Sequence, residues 1–116
     1  MAGQRILIVE DEPLIAMMLE DFVDALGHSV AGSADCISIA MPLVEAGAFD
    51  MAILDINLRG GERSWPLADA LKAAGKPFLL ASGGQADALP EAHRDAPMLA
   101  KPYTMDSIRI ALDALS

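Results

Sequence analysis

Apolar residues in this chain fall into two patterns. Short unbroken runs occur at Arg5 to Val9, Met51 to Leu54, Pro77 to Ala81 and Met98 to Ala100. They have strand length, and where alternation is missing they read as strands buried on both faces of a sheet. Ser29 to Gly32 is a weaker second strand. Between these runs the apolar residues return at helical spacing. Pro13 suits a first helical turn, Ile15, Met18 or Leu19, Phe22 and Leu26 follow on one face, and Gly27 fits the stop. Asp35 is the expected cap of a second helix carrying Ile37, Ala40 and Leu43 or Val44, ending near Gly47. Pro42 lies inside it and should kink it, at about 3 kcal/mol if unrelieved. Asp55 to Arg63 reads as a loop with Gly60-Gly61. Ser64 or Trp65 with Pro66 opens a third helix through Leu67, Ala70, Leu71 and Ala74 to Gly75. Residues 85 to 95 hold one large apolar residue, Leu89, and are interrupted by Pro90, so a fourth helix there should be short or labile. Thr104 caps a last helix with Met105, Ile108, Leu112 and Leu115 on one face. Five strands alternating with about five helices, without repeats or a low-complexity linker, predict a doubly wound parallel sheet.

Composition narrows the partners. The 116 residues make one domain with a genuine core. The net charge of -9 leaves no basic patch for nucleic acid or an anionic membrane. Basic partner proteins, or a held cation, fit that charge better. No run approaches the roughly 18 to 20 apolar residues of a membrane span, and the start lacks a cleavage-site pattern. The single cysteine, Cys36, agrees with a reducing cytoplasm. His28 reads as a solvated turn residue, and the seven methionines read mostly as core gap-fillers.

The chemistry lies at the strand ends. The first strand ends in Glu10-Asp11, the third in Asp55, the fourth in Ser82 and the fifth in Lys101. In a parallel sheet these ends share one edge, where open α/β folds keep their ligand sites. Each has a bland explanation singly: a helix-dipole partner, a turn cap, a helix start, a solvated lysine. Four such coincidences on four strand ends are far less probable than four placed residues. Clustered carboxylates repel unless a cation or proton relieves them. Hard oxygen ligands at a partly open site suit Mg²⁺. With a hydroxyl and an ammonium nearby, the set is equipped for phosphoryl transfer to Asp55 as nucleophile.

Ile-Leu-Ile-Val-Glu10-Asp11-Glu12, Leu54-Asp55, Ser82 and Lys101-Pro102 together resemble the receiver domains of two-component response regulators, over essentially the whole chain. The resemblance implies a flavodoxin-like (βα)5 fold with a five-stranded parallel sheet. It implies Asp55 as phosphoacceptor, with Mg²⁺ held by Asp11, Asp55 and the backbone carbonyl of Asn57, and Glu10 acting through water. It also implies Ser82 as the switch hydroxyl, Lys101 as the charge-neutralising ammonium and a cis bond before Pro102. Leu-Asp55-Ile-Asn57-Leu, Gly-Glu62, Pro66-Leu-Ala-Asp69 and Pro77-Phe78-Leu-Leu-Ala81-Ser82-Gly83 are similar to the subfamily known by its Phe-Ala-Thr-Gly signature, often stand-alone. The chain departs from it with Ser for Thr and with Gly84 for a bulky residue. Met98 stands where most receivers carry the switch Tyr or Phe, and Tyr103 is the nearby aromatic.

The expectation is therefore a single-domain response regulator, residues 1-116, without an output domain. It would be a phosphoacceptor signalling domain that assists its own phosphorylation and dephosphorylation, rather than an enzyme. Its partners would be a histidine kinase or phosphotransfer protein and a downstream protein, in a cytoplasmic monomer or weak dimer. The 82–95 segment would report phosphorylation. Three other readings compete with this one. A degenerate receiver would act as a binding module alone. An aspartyl-nucleophile phosphatase typically places a second Asp where this chain has Asn57. A flavin-binding protein would meet a repelling acidic first loop.

Overall fold

The computed structural model describes residues 3–82, 98–100 and 103–115. Strands β1 (Arg5–Val9), β2 (Ser29–Ala34), β3 (Met51–Asp55), β4 (Phe78–Ser82) and β5 (Met98–Ala100) form one sheet in the order β2-β1-β3-β4-β5. Every adjacent pair is parallel. This is the flavodoxin-like order, in which the strand sequence reverses beside β1 and β3.

Helices α1 (Pro13–Ala25), α2 (Ile37–Ala46), α3 (Trp65–Ala73) and α4 (Met105–Leu115), with a 3-10 turn at Arg59–Gly61, complete the described elements. Side chains alternate across the sheet, so each strand feeds two cores. Leu7, Val9, Ala52, Leu54 and Leu80 face the layer of α2 and α3, with Ala40, Val44, Leu67 and Leu71. Ile6, Ile8, Met51, Ile53 and Leu79 face α1 and α4, with Leu19, Val23, Ile108 and Leu112. All five residues of β3 are buried, as its unbroken apolar run requires.

Several boundaries differ from expectation. The second strand runs on to Ala34 although most of it is exposed, because backbone pairing with β1 makes this edge strand. Its register skips Ala31 between Val30 and Gly32, a bulge of one residue. The cap of α2 is Cys36, not Asp35, and Cys36 gives no side-chain cap bond. The first N–H of α2, on Ile37, instead donates to Glu62 Oε1 at 3.1 Å, from a loop 25 residues further on. Pro42 does lie within α2. Of the methionines, Met51 is buried, but Met17, Met98 and Met105 are exposed, so the gap-filling reading fails for these three. His28 is half-buried and accepts the Gln4 N–H on Nδ1 at 2.9 Å, so it is anchored rather than freely solvated. Trp65, the first residue of α3 after its cap Ser64, packs against the core.

Thr104 does cap α4. Its Oγ1 accepts the Ser107 N–H at 3.0 Å, and Ser107 Oγ accepts the Thr104 N–H at 3.0 Å. This is a reciprocal capping box with serine in place of the usual Glu or Gln. Thr104→Ala is expected to cost about 1 kcal/mol of stability in urea denaturation. A loss within error would show that α4 is held by packing alone.

At the opposite edge of the sheet, the Arg5 N–H donates to Asp50 Oδ2 at 2.8 Å and its guanidinium lies 3.4 Å from Oδ1. The backbone N–H of Arg5 and then its side chain hold the Asp50 carboxyl below the ordinary carboxylate value. The small stabilisation this gives is present above that ordinary value and is lost as pH falls through the lowered one.

Candidate acidic site at the carboxyl edge of the sheet

Glu10 follows β1 directly and is tied to β2 by its N–H, which donates to the Ala34 carbonyl at 3.0 Å. Asp55 is the last residue of β3, beside Ala81 of β4. Both side chains are buried, at 2% and 4% exposure, whereas Asp11 is half-buried. One carboxylate oxygen from each of Glu10, Asp11 and Asp55 lies within 4.8 Å of the other two. The adjacent pair Glu10-Asp11 and the sequence-distant Asp55 therefore meet at a strand edge, as the strand endings predict.

Oxygens around one Mg²⁺ at about 2.1 Å stand roughly 3 to 4 Å apart. The observed cluster needs little movement to reach that spacing, and its hard, anionic donors match the ion. The local backbone also fixes the carboxylates. The Asn57 N–H donates to Asp55 Oδ1 at 3.3 Å, and the Glu12 N–H donates to Glu10 Oε2 at 3.1 Å.

The loop after Asp55 is more ordered than its glycines suggest. Asn57 pairs with Arg63 in an antiparallel bridge. The Leu58 N–H donates to the Glu62 carbonyl at 2.8 Å, and the Ser64 N–H to the Ile56 carbonyl at 3.0 Å. Gly60 and Gly61, at φ 78° and 79°, make the reversal between them. Glu62 then fastens this small hairpin to the start of α2. No residue pattern signals that contact, because a cap supplied across 25 residues has no spacing rule.

Tyr103 lies beyond β5 at the same edge and is 5% exposed. Among the described residues its hydroxyl has no hydrogen-bond partner. Burial first, then the charges of Glu10 and Asp55, push its phenol far above the ordinary tyrosine value. Met98 is 44% exposed on β5. Ser82 ends β4 and pairs with Ala100. The Ser82 side chain, Lys101, Pro102 with its expected cis bond, and the helix expected over 85–95 lie outside the described residues.

A cleft of about 290 Å³ opens next to the acidic cluster, lined by Glu10, Asp11, Pro13, Ser33, Asp35 and Ile39 among others. It lies between the starts of α1 and α2, so Asp11 reaches solvent on that side. Among the described residues no helix is long and apolar enough to cross a membrane.

The family model for the response regulator receiver domain matches residues 6–74, more than half of the chain. The chain belongs to this family. It is similar over 99% of its length to SdrG from Sphingomonas melonis Fr1, with 53% identity, 98% of that chain covered and a TM-score of 0.88. The receiver domain of PhyR from Erythrobacter litoralis gives 29% identity and a TM-score of 0.84, covering 98% of this chain and 90% of that one. The transcriptional regulatory protein TcrA of Mycobacterium tuberculosis is 31% identical over 99% of this chain. This receiver spans 47% of the length of TcrA, and its match to the PhyR regulator of Methylorubrum extorquens covers 22% of that protein. Receivers are signalling domains of two-component systems.

Proposed function

We propose that this receiver takes a phosphoryl group from a phosphohistidine of a kinase or phosphotransfer protein onto Asp55. The observation that carries the reading is the meeting of the Glu10, Asp11 and Asp55 carboxylates at the end of β3. A carboxylate oxygen of Asp55 attacks phosphorus, the P–O bond forms, the P–N bond breaks, and the imidazole leaves and takes up a proton. Asp11, Asp55 and the Asn57 carbonyl would hold Mg²⁺, with Glu10 through water. The ion supplies neutralisation of the charge that develops on the phosphoryl oxygens. In this reading Lys101 would supply a neutralising ammonium and Ser82 a hydroxyl to the phosphoryl group.

Support also comes from SdrG, which has been solved in a BeF3-activated conformation and is 52% identical to this chain there. Beryllofluoride on a carboxylate imitates a phosphoryl group. We further propose that the chain is a Phe-Ala-Thr-Gly-signature receiver working in the cytoplasm, a reading that its likeness to SdrG supports. Its message leaves by protein contact or onward phosphotransfer, and the 82–95 segment, with Met98 and Tyr103 beside the edge, reports the change as a shift between two states.

Borohydride trapping tests the chemistry. A phosphodonor with Mg²⁺ should yield an acyl phosphate that borohydride reduces to homoserine at position 55, found by peptide mass. Homoserine at another position, or at none, would reject the proposal.

A further inference from the structure

Tyr103 belongs to the apolar cluster that includes Leu99, Ile108 and Leu112. Phenylalanine would fill the same seat. The hydroxyl is what needs explaining, because its residue is only 5% exposed and it has no hydrogen-bond partner among the described residues. An unmatched buried hydroxyl lowers stability, and such groups call for a reason in function or in a bound species. The reason lies at the adjoining edge. Among the described residues, the charges that act on the phenol are the carboxylates of Glu10 and Asp55, both themselves buried. Burial first, and then these charges, hold the phenol protonated, so toward two carboxylates it serves as a donor.

Resting on the phosphoacceptor reading, we infer that Tyr103 is a positioning residue of the acidic site, donating to a water ordered between its hydroxyl and the Glu10 carboxylate when the site is loaded. Direct contact is excluded by the absence of a described acceptor within bonding distance. A buried water needs two to four polar partners, and this hydroxyl and the two carboxylates supply them. Glu10 is thereby held in the orientation from which it reaches the cation.

The test uses the fact that Tyr103 is the only tyrosine. Protein labelled with 3-fluorotyrosine should show one fluorine NMR signal that shifts on adding Mg²⁺, and again on adding beryllofluoride. Tyr103→Phe should bind Mg²⁺ about three- to tenfold more weakly, the worth of one hydrogen bond. Without ligand it should melt no lower than wild type, and a few degrees higher where the orphan hydroxyl is relieved. A signal that stays fixed while wild type binds Mg²⁺, or a Phe variant that binds equally well, would overturn the inference. A Phe variant that melts lower would make the hydroxyl structural and overturn it as well. If wild type binds neither Mg²⁺ nor beryllofluoride, the phosphoacceptor reading itself fails first.

Discussion

Replacing Asp11 with asparagine is expected to weaken Mg²⁺ binding by roughly ten- to a hundredfold in isothermal titration. Asp11 is the member of the acidic cluster that still reaches solvent, through the cleft between α1 and α2. The amide keeps an oxygen ligand and the side-chain size but removes one negative charge opposite a divalent ion. Because Asp11 is half-buried and belongs to neither core cluster, the variant should fold normally. Thermal unfolding supplies an independent reading. At Mg²⁺ a hundredfold above the dissociation constant, wild type gains about 2.7 kcal/mol by linkage, and the variant forfeits half or more of that gain. Equal Mg²⁺ affinity in the two proteins would place the cation elsewhere.

Leu54→Ala is expected to show the largest loss of stability, about 3 to 5 kcal/mol in urea denaturation. Leu54 is fully buried in the central strand, paired with Val9 of β1 on one side and Leu80 of β4 on the other. It sits in the core under α2 and α3. Neighbouring strands on both sides limit how far the backbone can collapse into the vacated space. The residue also directly precedes Asp55, so the cavity should loosen the strand end that aims the carboxylate. A loss below about 1 kcal/mol would mean the α2–α3 face packs loosely enough to refill the site.

Much of this arrangement was legible in the residues because a parallel sheet forces it. Once β1 and β3 are read as parallel neighbours, Glu10 and Asp55 must share an edge, whatever the loops do. The unbroken run of β3 and the 3.6-residue periodicity of α1 are similarly direct. β2 was read too short because its exposed residues carry no apolar run. Its pairing is made by backbone groups that composition does not reveal. Local capping rules point to Asp35 for α2, whereas the cap position is Cys36 and Glu62 arrives from the hairpin after Asp55. The exposed Met17, Met98 and Met105 escaped the core reading because helical spacing gives a face without saying what covers it. Tyr103 was visible as an aromatic near the edge. That its hydroxyl is buried and unmatched could come only from the fold.

The central claim is that Asp55 is the phosphoacceptor. Its most direct measurement is intact mass after incubation with Mg²⁺ and a small phosphodonor, for wild type and Asp55→Asn side by side. Wild type should gain the mass of one phosphoryl group, and the variant should gain none. A phosphoryl group added to both proteins, or to neither, would contradict the account.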